Sequence, residues 1–136
     1  MITWEVCSGE GAHGRIANVT IQNNPVSPGS NTTVFALGFL DKTVTKGKWQ
    51  LVGSFMGIPL LHKVGYLCED AVIDLPFNSG QIYIFGLDCP TEAGAVEVME
   101  KAIFYNTPPS GLYNIKCSMT DQDSEEILCL SIDIPM

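Results

Sequence analysis

Clusters of turn-forming residues recur at short intervals along this 136-residue chain. They are rich in Gly, Pro, Asn, Asp and Ser, and they lie at 9–14, 23–29, 41–48, 78–80, 90–94, 107–111 and 120–126. The segments between them are short, and several alternate apolar and polar side chains. This pattern predicts an all-β fold in which short strands form a two-sheet, immunoglobulin-like β-sandwich. The length predicts one domain over residues 1–136.

The last two segments alternate most regularly. Residues 113–119 and 128–134 each place apolar side chains at every second position, and the acidic run 121–126 separates them. Because side chains in a strand point to opposite faces in turn, this predicts an antiparallel hairpin with one buried face. The predicted inward residues are Tyr113, Ile115, Cys117, Met119, Leu128, Leu130, Ile132 and Ile134.

Earlier segments are less regular. In 34–40 and 49–55 we place the odd-numbered residues inward, because they carry the larger side chains: Phe35, Leu37, Phe39, Trp49, Leu51 and Phe55. Residues 82–87 are β-branched and aromatic and predict a strand. Residues 96–105 fit a helix by propensity and a strand by their Val, Ile and Phe content. Residues 68–75 allow a short helical turn before Pro76.

Charge and hydropathy exclude several functions. Fifteen acidic and seven basic residues give a net charge of −8, and the basic residues do not cluster. Nucleic-acid binding and a polybasic membrane anchor are excluded, because both depend on concentrated positive charge. The apolar stretches are too short to span a bilayer. Trp4 and Glu5 follow Met1 too closely for a signal peptide, so we expect none in this sequence.

Catalytic motifs are not found. His13 lies in a Gly-rich turn and His62 follows Pro59, and neither belongs to a known nucleophile or metal motif. The carboxylates of 121–126 lack the spacing of a calcium loop and are expected to be solvated in the hairpin turn. We therefore expect no enzyme activity, no catalytic residue, no metal and no cofactor.

The five cysteines indicate an oxidising compartment. Their spacing contains no C-x-x-C motif, which argues against zinc. Cys117 lies on the predicted apolar face and is the expected free thiol. The sequons at Asn18 and Asn31 predict glycosylation sites and add to the indication of a secretory route.

Short motifs in a characteristic order resemble the ML-domain lipid-recognition family over nearly the whole chain. Trp4-Glu5-Val6-Cys7 and residues 16–21 resemble its opening, and residues 28–33 its Pro-Gly segment. Met56-Gly57-Ile58-Pro59 is similar to the sterol-carrier branch, and Tyr66-Leu67-Cys68 together with residues 86–90 is similar to the ganglioside-activator branch. Residues 108–113 and 127–130 resemble the closing strands.

The resemblance implies a non-catalytic lipid-binding and transfer protein, secreted or endolysosomal. It would hold a sterol, phospholipid or glycolipid in an apolar cavity between the sheets, touch membranes transiently and present the lipid to a membrane or a lipid hydrolase. It also implies the disulfides Cys7–Cys129 and Cys68–Cys89, which leave Cys117 free. The cavity lining is expected to be Phe35, Leu37, Trp49, Leu51, Phe55, Ile58, Leu60, Ile84, Phe104, Tyr105, Ile115, Met119, Leu130 and Ile132.

Three other interpretations compete with this one. The aromatic residues Trp49, Phe55, Phe104 and Tyr113 would also fill an ordinary sandwich core. An adhesion or receptor-accessory sandwich would use Val34, Ala36 and Leu40 as an interface patch. A carrier of small volatile signals would differ only in the size of its ligand.

Overall fold

The computed structural model describes residues 1–23, 26–106 and 108–136. The described strands are β1 (Thr3–Val6), β2 (Gly14–Gln22), β3 (Asn31–Leu40), β4 (Gly47–Phe55), β5 (Ile58–Tyr66), β6 (Ala71–Asp74), β7 (Gly80–Ile84), β8 (Gly94–Phe104), β9 (Leu112–Asp121) and β10 (Glu126–Pro135). A short 3-10 helix, Pro76–Asn78, lies between β6 and β7. The turns predicted at 23–29 and 107–111 fall partly outside the described residues, at Asn24, Pro25 and Thr107.

The strands form two five-stranded antiparallel sheets. The first sheet has the order β1-β10-β9-β4-β5 and the second has the order β2-β3-β8-β7-β6. The predicted all-β, two-sheet sandwich is confirmed. Within the described ranges, no helix is long and apolar enough to cross a membrane.

The predicted hairpin at the end of the chain is β9 and β10. Cys117 and Met119 of β9 and Leu128, Ile132 and Ile134 of β10 are buried. The two strands pair from Glu126 opposite Thr120 to Pro135 opposite Leu112. Their alternation places one face of the hairpin against the other sheet, as the period of two predicts.

In β3 the predicted inward face is wrong. Ala36 and Leu40 are buried, whereas Leu37 and Phe39 are 43% and 45% exposed. The reason is the register with β8, which places Ala36 opposite the buried Val98. The even-numbered side chains therefore face the other sheet, and Leu37 and Phe39 lie on the outer surface. Side-chain size alone did not identify the inner face.

Two other ambiguous segments are strands. Residues 96–104 lie in β8, because pairing with both β3 and β7 outweighs helix propensity, and Tyr105 follows the strand. The helical turn allowed over 68–75 is wrong for 71–74, which form β6 and pair with β7, Ile73 lying opposite Ile82. The helical turn that does form begins at Pro76, after this strand.

Two disulfides tie the sandwich together. Cys7, which follows β1, is bonded to Cys129 of β10, and Cys68 is bonded to Cys89. These are the pairs that the resemblance implied. Cys117 is a buried free thiol.

The acidic turn between β9 and β10 is an ion-pair network rather than a freely solvated turn. Asp121 is buried, and its Oδ2 lies 2.7 Å from Lys42 Nζ. Its Oδ1 accepts hydrogen bonds from the backbone N–H groups of Asp123 and Glu125. His13 contacts Asp41 and Glu125 at 2.8 and 3.0 Å. The side chains of His13, Asp121 and Glu125 lie close enough together to resemble a metal site. Their charges are instead balanced by the ion pairs of this network.

This network predicts a loss of stability in acid. Burial alone would raise the pKa of Asp121, but Lys42 and the two backbone N–H groups outweigh it and hold that pKa below its ordinary value. Its stabilisation is therefore present above the ordinary aspartate pKa and is lost as the pH falls through the lowered one. We expect Asp121→Asn to be less stable at neutral pH by about 1–3 kcal/mol and to lose less stability on acidification than the parent protein. Urea unfolding at neutral and acidic pH measures this, and equal acid sensitivity of the two proteins would contradict it.

Candidate binding cavity

A cavity of about 390 Å³ lies between the two sheets. Strands β4, β5, β9 and β10 line it from the first sheet, and Ile82 of β7 and Phe104 of β8 line it from the second. The segment around the 3-10 helix and the pair Pro108-Pro109 complete the wall. This volume lies within the usual range of small-molecule binding sites.

The described residues that line the cavity carry no charged side chain. Its polar lining residues are Ser54, Ser79 and Asn114, and the others are apolar, aromatic, proline or glycine. Such a lining offers little hydrogen bonding to a ligand. Binding would come mainly from the removal of apolar surface from water.

An aromatic pair shapes one wall. The rings of Phe55 and Tyr113 lie 4.8 Å apart with their planes tilted by 38°. The Tyr113 hydroxyl donates a hydrogen bond of 2.9 Å to the backbone oxygen of Pro109. Burial raises the pKa of Tyr113, so the phenol stays protonated and keeps this bond. Gly111 lies against Phe55, where an added Cβ would come within 2.5 Å of the ring.

Exposed apolar side chains lie at the opening and beside it, and we call Met56, Ile58, Leu60 and Phe77 the rim. Phe77 lines the cavity and is also 96% exposed. Leu60 lines the cavity and is 45% exposed. Met56 and Ile58 belong to the β4–β5 hairpin, whose two-residue turn has positive φ at Met56 and Gly57, as type I′ turns require.

The structure brings together only part of the predicted lining. Phe55, Leu60, Phe104 and Ile115 line the main cavity. Met119, Leu130 and Ile132 line two smaller cavities deeper in the sandwich. Leu51 and Ile84 are buried in the core. Ile58 and Tyr105 are exposed, at 62% and 44%.

The remaining three expected residues lie elsewhere. Trp49 is buried in the core, and its ring lies directly against Gly65, where an added Cβ would overlap the indole. Phe35 and Leu37 lie on the outward side of β3, the half-buried Phe35 opposite Met99. Because Ala36 and Leu40 face inward, they cannot form the interface patch of the adhesion interpretation.

Sequence reasoning missed several residues of the main cavity. Ile134 and Tyr113 were assigned to the inward face of the hairpin but not to the lining. Ile82 lies in a predicted strand whose inward face was not assigned. The other apolar ones belong to loops or to an irregular strand face, where periodicity carries no signal: Leu61, Leu75, Pro76, Phe77, Pro108 and Pro109. Gly53, Ser54, Ser79 and Asn114 also line the cavity, and small or polar residues give no sequence signal of an apolar lining.

Comparison with known proteins identifies the family. The ML domain profile matches residues 1–136. A putative phosphatidylglycerol/phosphatidylinositol transfer protein of Dictyostelium discoideum is 27% identical over 131 residues, which are 96% of this chain and 84% of the relative. A phosphatidylglycerol/phosphatidylinositol transfer protein of Candida albicans is 30% identical over 118 residues, which are 85% of this chain. The chain spans only 55% of that relative's length.

Solved structures agree in fold at low sequence identity. A Niemann-Pick type C2 protein from the Japanese carpenter ant superposes with a TM-score of 0.66 at 15% identity, covering 98% of both chains. Chicken MD-1, complexed with lipid IVa, gives a TM-score of 0.65 at 15% identity, covering 98% of this chain and 88% of the other. These superpositions agree in fold, and the profile match over residues 1–136 shows that the chain belongs to the ML-domain family.

Proposed function

We propose that this chain is a non-catalytic lipid carrier that holds the acyl chains of a glycerophospholipid between its sheets. The observation that carries the proposal is the charge-free apolar cavity, which ends at an exposed apolar rim. Phospholipid, rather than sterol or glycolipid, is favoured by the two relatives named as phosphatidylglycerol/phosphatidylinositol transfer proteins.

The cavity favours acyl chains over headgroups. A phosphate or inositol group placed among apolar side chains would lose its hydration without gaining a charged partner. An acyl chain in the same place gains about 0.8 kcal/mol for each methylene removed from water. The headgroup is therefore expected to stay at the opening, in contact with water.

Transfer between vesicles tests the function. The protein is mixed with donor vesicles that contain fluorescent phosphatidylglycerol or phosphatidylinositol and with unlabelled acceptor vesicles. We expect the protein to accelerate the movement of label to the acceptors in proportion to its concentration. Rates equal to those without protein would refute the proposal, and a preference for labelled sterol would refute the ligand class.

The rim is the proposed membrane contact. Inserting Phe77 into a bilayer would bury an apolar side chain that is almost fully exposed in water, a gain of about 1.5–3 kcal/mol. We expect Phe77→Ser to lower the transfer rate about tenfold by weakening docking. Vesicle co-sedimentation and the transfer assay measure this.

Val72→Ser is the matched control for Phe77→Ser. Val72 is also an exposed apolar residue, at 56%, but it does not line the main cavity. We expect it to leave transfer unchanged. If both variants transfer lipid like the parent protein, the rim is not the docking surface.

The two disulfides support a protein that follows the secretory pathway and acts outside the cell or in an endolysosomal compartment. Presentation of the lipid to a hydrolase belongs to the same proposal and would use the same opening. Asn18 and Asn31 are exposed and remain predicted glycosylation sites.

A further inference from the structure

A carboxyl group points into the space between the sheets. Glu100 lies on β8 between Val98 and Ala102, on the same face as the buried Val96 and Phe104. The neighbouring positions Met99 and Lys101 point to the other side of the sheet. Glu100 is therefore on the inner face of β8, and the function proposed above gives it no role.

Glu100 stands at the inner end of a series of cavities. A small cavity of about 30 Å³ shares Ile82, Phe104, Ile115 and Ile134 with the main cavity. Glu100 lines this small cavity, and it also lines a second one of about 30 Å³ that continues toward Cys117. Each of these spaces has room for about one water molecule.

The surroundings of the carboxyl are almost entirely apolar. The residues that line the two small cavities with it come from β2, β3, β7, β8, β9, β10 and the segments carrying Ile2 and Val26. Among these described residues the polar ones are Cys117 and Thr32, and none is charged. The Thr32 hydroxyl donates to the backbone oxygen of Asn23, and the Cys117 thiol contacts the Glu100 carboxyl.

Burial determines the protonation of this group. It raises the pKa of Glu100, an effect that the contact with Cys117 only partly opposes. Burial first, and then Glu100, raise the pKa of Cys117, so the thiol stays protonated. An ionised Glu100 would depend on water in the two small cavities, because none of the described residues that line them with it is a cation.

We propose that Glu100 limits how far an acyl chain enters the cavity, so that a chain long enough to reach the inner cavities binds much more tightly when Glu100 is protonated. This inference rests on the proposed lipid-carrier function. A chain that passes Phe104 displaces the water on which an ionised carboxylate depends. A short chain, held in the main cavity, leaves that water in place.

Linkage fixes the sign of the effect. A long chain removes water from Glu100 and so favours its neutral form further. The affinity for the long chain is highest at pH values below the pKa that Glu100 has in the lipid-free protein. Above that pKa the affinity falls about tenfold per pH unit, until the pH reaches the pKa that Glu100 has in the complex. The affinity for a short chain does not follow this dependence.

The test compares a long and a short monoacylglycerol, 1-palmitoyl and 1-octanoyl glycerol, neither of which titrates. Each displaces N-phenyl-1-naphthylamine, a neutral fluorescent probe, from the whole protein at about pH 5 and about pH 8. No membrane is used, since the net charge of −8 would make docking to vesicles depend on pH as well. Glu100→Gln removes the ionisable group at nearly the same volume, and Cys117→Ala removes the neighbouring thiol but keeps the carboxyl.

We expect the parent protein and Cys117→Ala to bind the palmitoyl ligand at least about tenfold more tightly at acidic pH, and the octanoyl ligand equally at both. We expect Glu100→Gln to bind the palmitoyl ligand equally at both pH values. A pH dependence that is the same for both chain lengths, or that persists in Glu100→Gln, overturns the inference while leaving the carrier function intact. If neither ligand displaces the probe at either pH, the carrier function itself fails. Should Glu100→Gln not fold, the comparison of chain lengths in the parent protein decides alone.

Discussion

Replacing Ile115 with tryptophan is expected to reduce lipid uptake by at least about tenfold while the sandwich still folds. Ile115 lies on β9, is half-buried and lines both the main cavity and the small cavity next to it. An indole at this position would occupy space that the acyl chains need. Insertion of a larger side chain costs about 1–3 kcal/mol in a filled core and less where free volume is available.

Uptake of fluorescent phosphatidylglycerol from vesicles, together with the melting temperature, measures this effect. Val64→Trp is the matched control, because Val64 is 69% exposed on β5 and does not line the main cavity. We expect the control to take up lipid like the parent protein. Normal uptake by a folded Ile115→Trp variant would show that the lipid does not occupy this cavity.

Removal of the Cys7–Cys129 disulfide, by serine at both positions, is expected to lower the free energy of unfolding by about 5 kcal/mol. The bond joins residues 122 positions apart, near the two ends of the chain. It therefore restricts the unfolded chain more than a bond that closes a short loop. Urea unfolding of both proteins under oxidising conditions measures the difference.

The second disulfide is the control for this prediction. Cys68 and Cys89 are separated by 21 positions, and their removal is expected to lower the free energy of unfolding by about 3 kcal/mol. Both comparisons are made with Cys117→Ala, so that the free thiol cannot exchange with the remaining bond. A greater loss from the shorter loop would contradict the loop-closure argument.

The sequence predicted the fold well where local pattern and tertiary environment agree. In β9 and β10 one face of each strand packs against the opposite sheet and the other face does not. The alternation of apolar and polar residues therefore identifies Ile115, Met119 and Ile132 as inward residues. The resemblance added the disulfide pairs, which alternation cannot supply because it carries no information about partners.

The predicted inner face of β3 was wrong, because the pairing register with the neighbouring strand decides which of its residues point inward. In β3 both faces carry apolar residues, and only the pairing with β8 shows that Ala36 points inward and Leu37 outward. The same strand shows why Phe35, an expected lining residue, lies on the outward side of the sheet. Residues such as Phe77 and Pro109 reach the cavity from loops, whose course depends on long-range packing.

Glu100 shows a further limit of the sequence. It occupies an inward position between Val98 and Ala102, yet a charged residue in a strand is ordinarily assigned to the outer face. Its inward position follows only from the tertiary structure, in which β8 pairs with β3 and β7 and Glu100 faces Cys117 of β9 in the opposite sheet.

The central claim is that a phospholipid occupies the space between the sheets, and direct recovery of the lipid tests it. The protein is incubated with mixed vesicles of phosphatidylglycerol, phosphatidylinositol, phosphatidylcholine and sterol, separated from them, extracted with organic solvent and analysed by mass spectrometry. We predict a single glycerophospholipid molecule bound to each chain, enriched in phosphatidylglycerol or phosphatidylinositol, and almost none bound to Ile115→Trp. Recovery of no lipid, or of equal amounts from the parent protein and Ile115→Trp, would contradict the claim.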